Sequence, residues 1–299
     1  MIDSARRALE EIDTASRRLA TAGIESSRLD AELLLAAAAG VSREAAITGS
    51  LDLSPATLKR FDVLIGRREK REPLAYIVGR KEFYSLDFEV TPAVLIPRPE
   101  TEFVVTAALE CIAGKADARV LDIGTGSGAI AIAIAVNAPR ARVTAVDISS
   151  EALVVASRNA RRHRVEDRLT FRRADCFDVL DGGPKLETFD VIASNPPYLD
   201  DSEIATLEAD VRGYEPHVAL SAGSRGFEIL QRILEAAPRH LARNGELIME
   251  VGAGQARAVA KFVKEAGLSA VTVINDFAGH ARVVRAQAVE GATAKQWKK

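Results

Sequence analysis

The most specific chemistry in the sequence lies at positions 194–198, where Ser-Asn-Pro-Pro-Tyr ends a strand-like run, FDVIAS. Asn195 offers a hydrogen-bond acceptor and a donor, whereas Pro196 and Pro197 lack an N–H and leave their carbonyls free to accept. Asn195 and the Pro196 carbonyl can therefore receive both hydrogens of one planar NH2 group, and Tyr198 can form an apolar wall beside it. The segment predicts a site for an amide or exocyclic amine. The structural alternative is a rigid proline turn that only closes a strand.

The nitrogen of such a group is a poor nucleophile, because its lone pair is delocalised. Two acceptors that hold both N–H bonds would raise the electron density on the nitrogen and aim it at an electrophile. A sulfonium methyl group is already activated, so this chemistry requires neither a metal nor a strong base. Catalysis would then come mainly from positioning, which supplies roughly 7–11 kcal/mol in well-oriented intramolecular systems.

A second chemically suggestive segment runs from residue 120 to residue 128 and leads into a helix, with glycine at positions 124, 126 and 128. Glycine lets the backbone approach a ligand closely and adopt positive φ. With Ala129, Gly124 and Gly126 also fit a loose dinucleotide fingerprint. Asp147, at the end of the next strand, can accept from the ribose hydroxyls of NAD or of any adenosyl ligand. The order of these features predicts a cofactor site, and the alternative is a tight turn without a ligand.

Two acidic positions favour S-adenosyl-L-methionine over a dinucleotide. Asp122 lies two residues before Gly124, where a carboxylate can neutralise an amino or sulfonium charge but would sit poorly beside a pyrophosphate. Asp175, followed by Cys176 and Phe177, comes after the third strand of this region. A carboxylate there can accept from the adenine amino group, and an aromatic ring can pack on the base. A simple loop cap explains Asp175 equally well.

The elements that must position these residues are read from periodicity. Residues 1–72 predict a small helical bundle, and the helix end KRFDVLIGRREKR is either a solvated face or a docking surface for a partner. Residues 73–97 predict a β-hairpin connector, with its turn around residues 79–81. Residues 98–289 alternate strand and helix, which indicates a mostly parallel sheet with helices on both faces and ligands at the carboxyl ends of its strands. Residues 290–299 predict a flexible tail.

Composition excludes several classes of protein. The 299 residues suit about two domains, and 40 basic against 42 acidic side chains give a net charge of −2. Residues 1–97 hold 14 basic and 15 acidic residues and the remainder holds 26 and 27, so each part carries −1. This balance counts against bulk electrostatic binding of nucleic acid. With only two cysteines, a charged N-terminus and no apolar run near membrane length, we expect a cytoplasmic protein that does not contact membranes.

Five motifs together resemble one family. RPETE (98–102), DIGTGSGAIAIA (122–133), AVD (145–147), SNPPY (194–198) and YEPHVAL (214–220) are similar to those of the bacterial release factor glutamine methyltransferases, also called HemK or PrmC. The resemblance covers nearly the whole chain and includes the helical N-terminal region. It implies an α/β fold, with a Rossmann-like class I methyltransferase domain built on a mostly parallel seven-stranded sheet. It also implies methylation of the glutamine amide in the Gly-Gly-Gln motif of peptide chain release factors, with S-adenosyl-L-methionine as cofactor.

The resemblance carries over to individual positions. It implies that Asn195 contacts both cofactor and glutamine, that the residues after it complete the glutamine pocket, and that the RPETE segment lines the cofactor entrance or else simply starts a helix. Cys176 stands at a position similar to one that holds tryptophan in some relatives, and Phe177 is the alternative adenine contact. The expected catalytic residues are Asn195, Pro196 and Tyr198, the expected substrate contacts are these with Pro197, and the expected cofactor contacts are Gly124, Thr125, Gly126, Ser127, Gly128, Asp147, Cys176, Phe177 and Asn195.

Two other functions share parts of these motifs. An adenine-N6 methyltransferase of DNA or RNA would use the same Asn-Pro-Pro-Tyr logic, and the near-neutral charge opposes it. A non-catalytic, cofactor-binding adaptor would have no need of an amide-holding site.

We expect a monomer that acts on release factors without direct nucleic acid binding. The four histidines show no ligand spacing, so no metal is predicted. Glu250, at a strand end near the expected pocket, is as consistent with a structural role as with a functional one.

Overall fold

The computed structural model describes residues 2–178, 180 and 186–289, with the side chains of residues 2 and 3 left aside. The chain divides into two compact units, one of residues 1–80 with 208–214 and the other of residues 81–207 with 215–299. The tail predicted for residues 290–299 lies outside the described residues. Within the described part of the chain, no helix combines the length and the apolar character that a membrane crossing requires.

The helices, in chain order, are α1 (Ile2–Thr21), α2 (Ser27–Ala39), α3 (Arg43–Thr48), α4 (Pro55–Glu69), α5 (Leu74–Val78), α6 (Glu102–Ile112), α7 (Ala129–Asn137), α8 (Ser150–Arg162), α9 (Asp201–Ile204), α10 (Ala209–Tyr214), α11 (Glu228–His240) and α12 (Ala256–Glu265). The strands are β1 (Arg80–Phe83), β2 (Leu86–Glu89), β3 (Arg119–Ile123), β4 (Arg142–Asp147), β5 (Leu169–Arg173), β6 (Phe189–Ser194), β7 (Leu241–Glu250), β8 (Leu268–Asn275) and β9 (Ala281–Ala288). Short 3-10 turns lie at Pro99–Thr101, Glu166–Arg168 and His217–Ala219.

The first unit is the expected helical bundle. The apolar positions that recur at helical spacing in α1 all face its core, and they are Ala8, Ile12, Ala15 and Leu19. Ser54 and Pro55 start helix α4, because the Ser54 hydroxyl accepts from the Thr57 N–H and Pro55 occupies the first turn. Helical periodicity and capping therefore account for the local structure of this unit.

The basic end of α4 is partly buried within the helical unit. Arg68 is buried, and its guanidinium bonds Asp30 of α2 at 2.7 Å and Asp210 of α10 at 2.6 Å. Arg71 also bonds Asp210, and the Tyr214 hydroxyl donates to the Lys70 carbonyl. Residues 208–214 thus join the bundle through buried charge pairs with partners far away in sequence.

The predicted hairpin turn around residues 79–81 is wrong. Residues 74–78 form helix α5, whose Ile77 packs into the bundle core, and Gly79 ends that helix in the left-handed conformation with its N–H bonded to the Ala75 carbonyl. The hairpin does exist, but it joins β1 to β2 through Tyr84 and Ser85, both at positive φ. Two left-handed residues match the twist of a two-residue hairpin.

The second unit contains a seven-stranded sheet in the order β5-β4-β3-β6-β7-β9-β8, parallel except for the pairings of β9 with its two neighbours. This confirms the predicted fold class. One face of the sheet is covered by α6, α7 and part of α8, and the other by α11 and α12. Helix α7, which reads AIAIAIAVN, is buried on almost every side, as expected for a helix that is apolar all round.

The strand order positions the site. From β3 the chain winds outward through β4 to β5, then returns to place β6 on the other side of β3. The loops after β3 and β6 therefore leave the sheet in opposite directions and open a crevice at their carboxyl ends. The Ser194 hydroxyl donates to the Ile123 carbonyl at 2.8 Å and ties the two strand ends together.

We expect Arg68→Ala to lower the opening free energy of the helical unit by about 3–5 kcal/mol, because it leaves the buried Asp30 carboxylate without its cation. Amide hydrogen exchange of peptides from α2 and α4 measures this loss. Arg6→Ala is the control, since Arg6 pairs with Glu10 on an exposed helix face and should leave exchange unchanged. Equal protection of α4 in R68A and the wild type would contradict the assignment.

Candidate active site

A cavity of about 190 Å³ lies in the crevice between the carboxyl ends of β3 and β6. Its wall combines the two segments that the sequence singled out, the glycine loop and the Asn-Pro-Pro-Tyr loop. Of the predicted residues, the structure brings together in this wall Gly124, Gly126, Asp147, Cys176, Asn195, Pro196 and Pro197. Thr125, Ser127, Gly128, Phe177 and Tyr198 lie outside it.

The glycine loop divides into an open and a packed part. Gly124 and Gly126 have positive φ, and a Cβ built on either would meet no heavy atom within 4 Å. The space that a side chain would fill is therefore available to a ligand that approaches the backbone. Gly128 differs, because a Cβ there would lie 2.7 Å from the Ile132 Cδ1 atom and 3.3 Å from the Ala156 Cβ atom. Glycine at this position therefore allows α7 to pack closely against α8.

Asp122 braces this loop and does not reach the cavity. One carboxylate oxygen accepts from the Thr125 hydroxyl at 2.6 Å and from the Ala131 N–H at 3.2 Å. The other, Oδ1, is buried without a partner in the described residues. Burial raises the pKa of Asp122 to about 7, against the opposing effect of its two donors. The structure thus does not support the expectation that Asp122 directly neutralises a cationic ligand.

Asp147, unlike Asp122, lines the cavity. Its Oδ2 accepts from the Gly126 N–H at 2.8 Å and its Oδ1 from the Ser149 N–H at 2.9 Å. Burial raises the pKa of Asp147, and these backbone donors oppose the shift. Each oxygen keeps acceptor capacity beyond its one backbone bond, so the carboxylate is suited to a pair of ligand hydroxyls. Together with the open glycine backbone, this is the donor and acceptor set that an adenosyl ligand requires.

The segment after β5 contributes three wall residues, Ala174, Asp175 and Cys176. Asp175 pairs with Arg232 at 3.0 Å, and Cys176 lies beside it at positive φ. Burial raises the pKa of the Cys176 thiol to about 11, so this thiol is protonated at neutral pH. Phe177 points away from the cavity into the core, where its ring stacks on His240 with centroids 4.8 Å apart. Of the two adenine contacts predicted, the geometry is compatible with Cys176 and not with Phe177.

The loop after β6 presents Asn195, Pro196 and Pro197 to the same cavity. Tyr198 turns aside, so that its ring packs beside Gly252 and its carbonyl accepts from the Gln255 amide at 2.8 Å. Burial raises the pKa of the Tyr198 hydroxyl to about 12. The amide oxygen of Asn195 and the carbonyl of Pro196 are therefore the acceptors that this loop can offer to an NH2 group.

Behind Asn195 lie two side chains whose part the sequence did not reveal. The Asn195 amide nitrogen donates to the Thr101 hydroxyl oxygen at 3.0 Å, and the Thr101 hydroxyl donates to Glu250 at 2.6 Å. Thr101 and Glu250 are both buried. Thr101 belongs to RPETE and Glu250 ends a strand, so both positions were visible in the sequence, but the hydrogen bonds that link Glu250 to Thr101 and Thr101 to Asn195 were not.

A second motif pair also meets in the structure. Glu215, of the YEPHVAL segment, is buried and accepts from the Arg98 guanidinium of RPETE at 2.5 Å and from the Ile96 N–H at 3.2 Å. It holds the segment that leads into the turn bearing Thr101. Other wall residues carried no prediction from the sequence, and they include Ala93, Val94, Leu95, Ile148, Ser149, Ile229, Arg232 and Ile233. The YEPHVAL segment also lines the cavity, through Pro216, Val218 and Ala219.

No group of three or more His, Cys, Asp or Glu side chains in the described ranges is placed to hold a metal ion. The groups that could hold a ligand are the backbone of the glycine loop, the Asp147 carboxylate and the polar atoms of the Asn-Pro-Pro loop. This set favours an uncharged or cationic nucleoside-like molecule beside a planar NH2 group.

Comparison with known proteins gives matches along the chain. The PrmC N-terminal domain matches residues 10–79, and a methyltransferase domain matches residues 114–296. The release factor glutamine methyltransferase of Cereibacter sphaeroides is 41% identical over 94% of this chain and 98% of its own length. The protein of the same name from Rhodopirellula baltica is 44% identical over 89% of this chain and 90% of its own.

Solved structures show the same fold at low identity. The hMettl16 catalytic domain, solved in complex with MAT2A 3′UTR hairpin 6, superposes with a TM-score of 0.55 over 82% of this chain and 86% of that one. Its sequence is only 15% identical, so this likeness speaks for the fold alone.

We expect Asp122→Asn to change how stability depends on pH. The folded pKa of about 7 lies above the ordinary 3.8, so between these values the unfolded chain releases a proton that the folded protein keeps. Wild-type stability contributed by this group is therefore full below about pH 4 and is lost as pH rises to 7. Asparagine does not titrate, so the free energy of unfolding of D122N relative to the wild type should rise by about 1–3 kcal/mol from pH 5 to pH 8.

Urea unfolding followed by circular dichroism at the two pH values measures this difference. An offset between variant and wild type that stays constant with pH would show that the Asp122 carboxyl titrates normally.

Proposed function

Because the chain belongs to the release factor glutamine methyltransferase family, we propose that it methylates the side-chain amide of the glutamine in the Gly-Gly-Gln motif of a peptide chain release factor. The proposed methyl donor is S-adenosyl-L-methionine. One observation carries the proposal, namely that Asn195 and Pro196 line the same cavity as the open glycine backbone and Asp147. An amide-holding loop and an adenosyl-binding loop that share one cavity are what transfer to an amide nitrogen needs.

The residues present fit the cofactor. Gly124 and Gly126 leave open space beside the backbone, Asp147 offers two carboxylate oxygens, and most of the remaining wall is apolar. When bound, S-adenosyl-L-methionine supplies a methyl group that its sulfonium charge has already activated. The chain therefore needs to bind and orient the acceptor nitrogen, and the sulfonium needs no further activation.

The Asn-Pro-Pro loop is assigned to that task. The Asn195 amide oxygen would accept one hydrogen of the glutamine NH2 group, and the Pro196 carbonyl would accept the other. When both N–H bonds are held, the electron density on the nitrogen increases and its lone pair is fixed in a single direction. A methyl transfer would replace one N–H bond of the glutamine amide with an N–CH3 bond. The donor sulfur would keep the electron pair of the broken S–CH3 bond, and the displaced proton would pass to solvent. The main contribution of the protein is orientation, which lowers the entropic cost of the encounter.

The helical unit is assigned to recognition of the release factor, in keeping with the match of residues 10–79 to the PrmC N-terminal domain. Tyr198 keeps its predicted place beside the substrate as a proposal, although its ring lies outside the cavity wall. A monomeric state, a cytoplasmic location and the absence of direct nucleic acid binding stay predictions.

Transfer of labelled methyl groups tests the reaction. The protein is incubated with labelled S-adenosyl-L-methionine and a release factor, the same factor with its Gly-Gly-Gln glutamine replaced, or adenine-containing nucleic acid. We expect label in the intact factor alone, because only that substrate offers the amide nitrogen. Label that survives replacement of the glutamine would overturn the proposal, label in nucleic acid would favour an adenine-N6 methyltransferase, and label in no substrate would favour an adaptor.

Asn195→Ala tests the amide-holding loop. It should lower kcat at least about 100-fold, comparable to removal of one preorganised hydrogen-bonding group from an active site, while cofactor affinity measured by calorimetry stays within about twofold. Asn137→Ala is the matched control, because Asn137 ends α7 at the far end of that helix from the glycine loop and bonds only its own helix. Normal turnover of N195A would refute the role given to Asn195.

A further inference from the structure

Asn195 is the first member of a series of two hydrogen bonds that links three elements of the sheet unit. Its amide nitrogen donates to the Thr101 hydroxyl oxygen at 3.0 Å, and the Thr101 hydroxyl donates to the Glu250 carboxylate at 2.6 Å. Asn195 follows β6, Thr101 ends the 3-10 turn Pro99–Thr101, and Glu250 ends β7. Thr101 is 4% exposed and Glu250 is 1% exposed, so bulk water does not compete for the bond between them.

The direction of these bonds follows from counting hydrogens. An ionised carboxylate only accepts, and a threonine hydroxyl has a single hydrogen to donate. Because Thr101 gives that hydrogen to Glu250, only its lone pairs remain for Asn195. Asn195 must therefore present its NH2 group to Thr101, which leaves its oxygen free for the cavity that it lines.

We propose that Glu250 is a positioning residue that, through Thr101, holds the Asn195 amide in the one orientation that offers its oxygen to the substrate NH2 group. The inference rests on the proposed function, because the orientation matters only if the substrate donates to Asn195. Glu250 and Thr101 touch neither cofactor nor substrate in this scheme. They decide which end of an almost symmetric amide faces the cavity.

Protonation of Glu250 would reverse the direction of both hydrogen bonds. A neutral carboxyl carries a hydrogen of its own, which it can donate to Thr101, and the hydroxyl hydrogen of Thr101 is then free to bond the Asn195 oxygen. The Asn195 amide would turn over and present two donors to a substrate that also donates. The ionised form of Glu250 is therefore the active one, and activity should fall as pH falls through the pKa of this group.

The groups around Glu250 set its protonation near neutral pH. Burial raises the pKa of Glu250 to about 7 and the Glu100 carboxylate raises it as well, whereas the Thr101 hydroxyl bond and the Arg282 and Arg98 guanidinium groups lower it. The Tyr198 hydroxyl also faces this region and stays neutral, since its own pKa is raised to about 12.

The experiment measures kcat, KM for the release factor and cofactor affinity between about pH 5.5 and about pH 9. In the wild type, kcat should rise to a plateau with a midpoint near pH 7. Thr101→Ser keeps the hydroxyl and should keep this profile. Thr101→Val removes it and should lower the plateau kcat at least about tenfold without an acid limb, with cofactor affinity within about twofold of the wild type. Glu250→Gln should also lack the acid limb, because glutamine does not titrate.

Thr106→Val is the matched control, because Thr106 lies on the exposed face of α6 and its hydroxyl donates to the Glu102 carbonyl of its own helix. It should behave as the wild type. An acid limb that persists in T101V or E250Q, or an unchanged plateau kcat in T101V, would overturn the proposal. So would a collapse of cofactor affinity in T101V, since that result would indicate a purely structural role.

A second readout separates this inference from the proposed function. The side-chain NH2 signal of Asn195 in a two-dimensional ¹⁵N NMR spectrum, assigned by its absence in N195A, should shift with a midpoint near pH 7 in the wild type and stay constant in T101V. If the signal titrates in this way but no release factor is methylated, Glu250 does orient Asn195 through Thr101 and the proposed substrate is wrong. If methylation occurs but the signal does not titrate, the role given to Glu250 is wrong and the proposed function stands.

Discussion

The sheet unit depends on the parallel pairing of β3 with β6. That pairing places two loops of unlike chemistry at one sheet edge, and the bond from the Ser194 hydroxyl to the Ile123 carbonyl keeps the strand ends in register. Since the chain winds away from β3 on one side and returns on the other, the two loops diverge and leave a cavity between them. A different strand order would separate the glycine loop from the Asn-Pro-Pro loop, although each would keep its own local conformation.

Buried acids support the site, and most of them act on neighbouring groups of the protein. Asp122 holds the glycine loop from behind, Glu215 holds the segment before the RPETE turn, and Glu250 holds Thr101. A buried carboxylate is costly unless donors surround it, so each of these groups strongly selects the conformation of the backbone and hydroxyl groups that face it. Asp147 combines both tasks, because it binds the loop through backbone N–H groups and still faces the cavity.

In the helical unit, too, an acidic side chain fixes the fold, and here its partners are distant in sequence. Residues 208–214 follow the Asn-Pro-Pro loop along the chain, yet they belong to the helical unit, where Asp210 pairs with Arg68 and Arg71. The chain then returns to the sheet unit at Glu215, whose carboxylate binds Arg98. The motif YEPHVAL therefore begins at the point where the chain passes from one unit to the other, and its Pro216, Val218 and Ala219 line the cavity.

Local patterns in the sequence were sufficient to predict the helical bundle, the alternation of strands and helices, and the two loops that line the cavity. Capping, periodicity and the positions of glycine and proline act over only a few residues, so they can be read locally. They failed where two signals compete, as at Gly79, which ends a helix although it can equally turn a hairpin. They also could not show that Phe177 faces the core while Cys176 faces the cavity. Tertiary structure alone decided that Thr101 meets Asn195 and that Glu250 meets Thr101. The partners in these two hydrogen bonds lie 94 and 149 positions apart in the sequence, so no local or periodic pattern could reveal them.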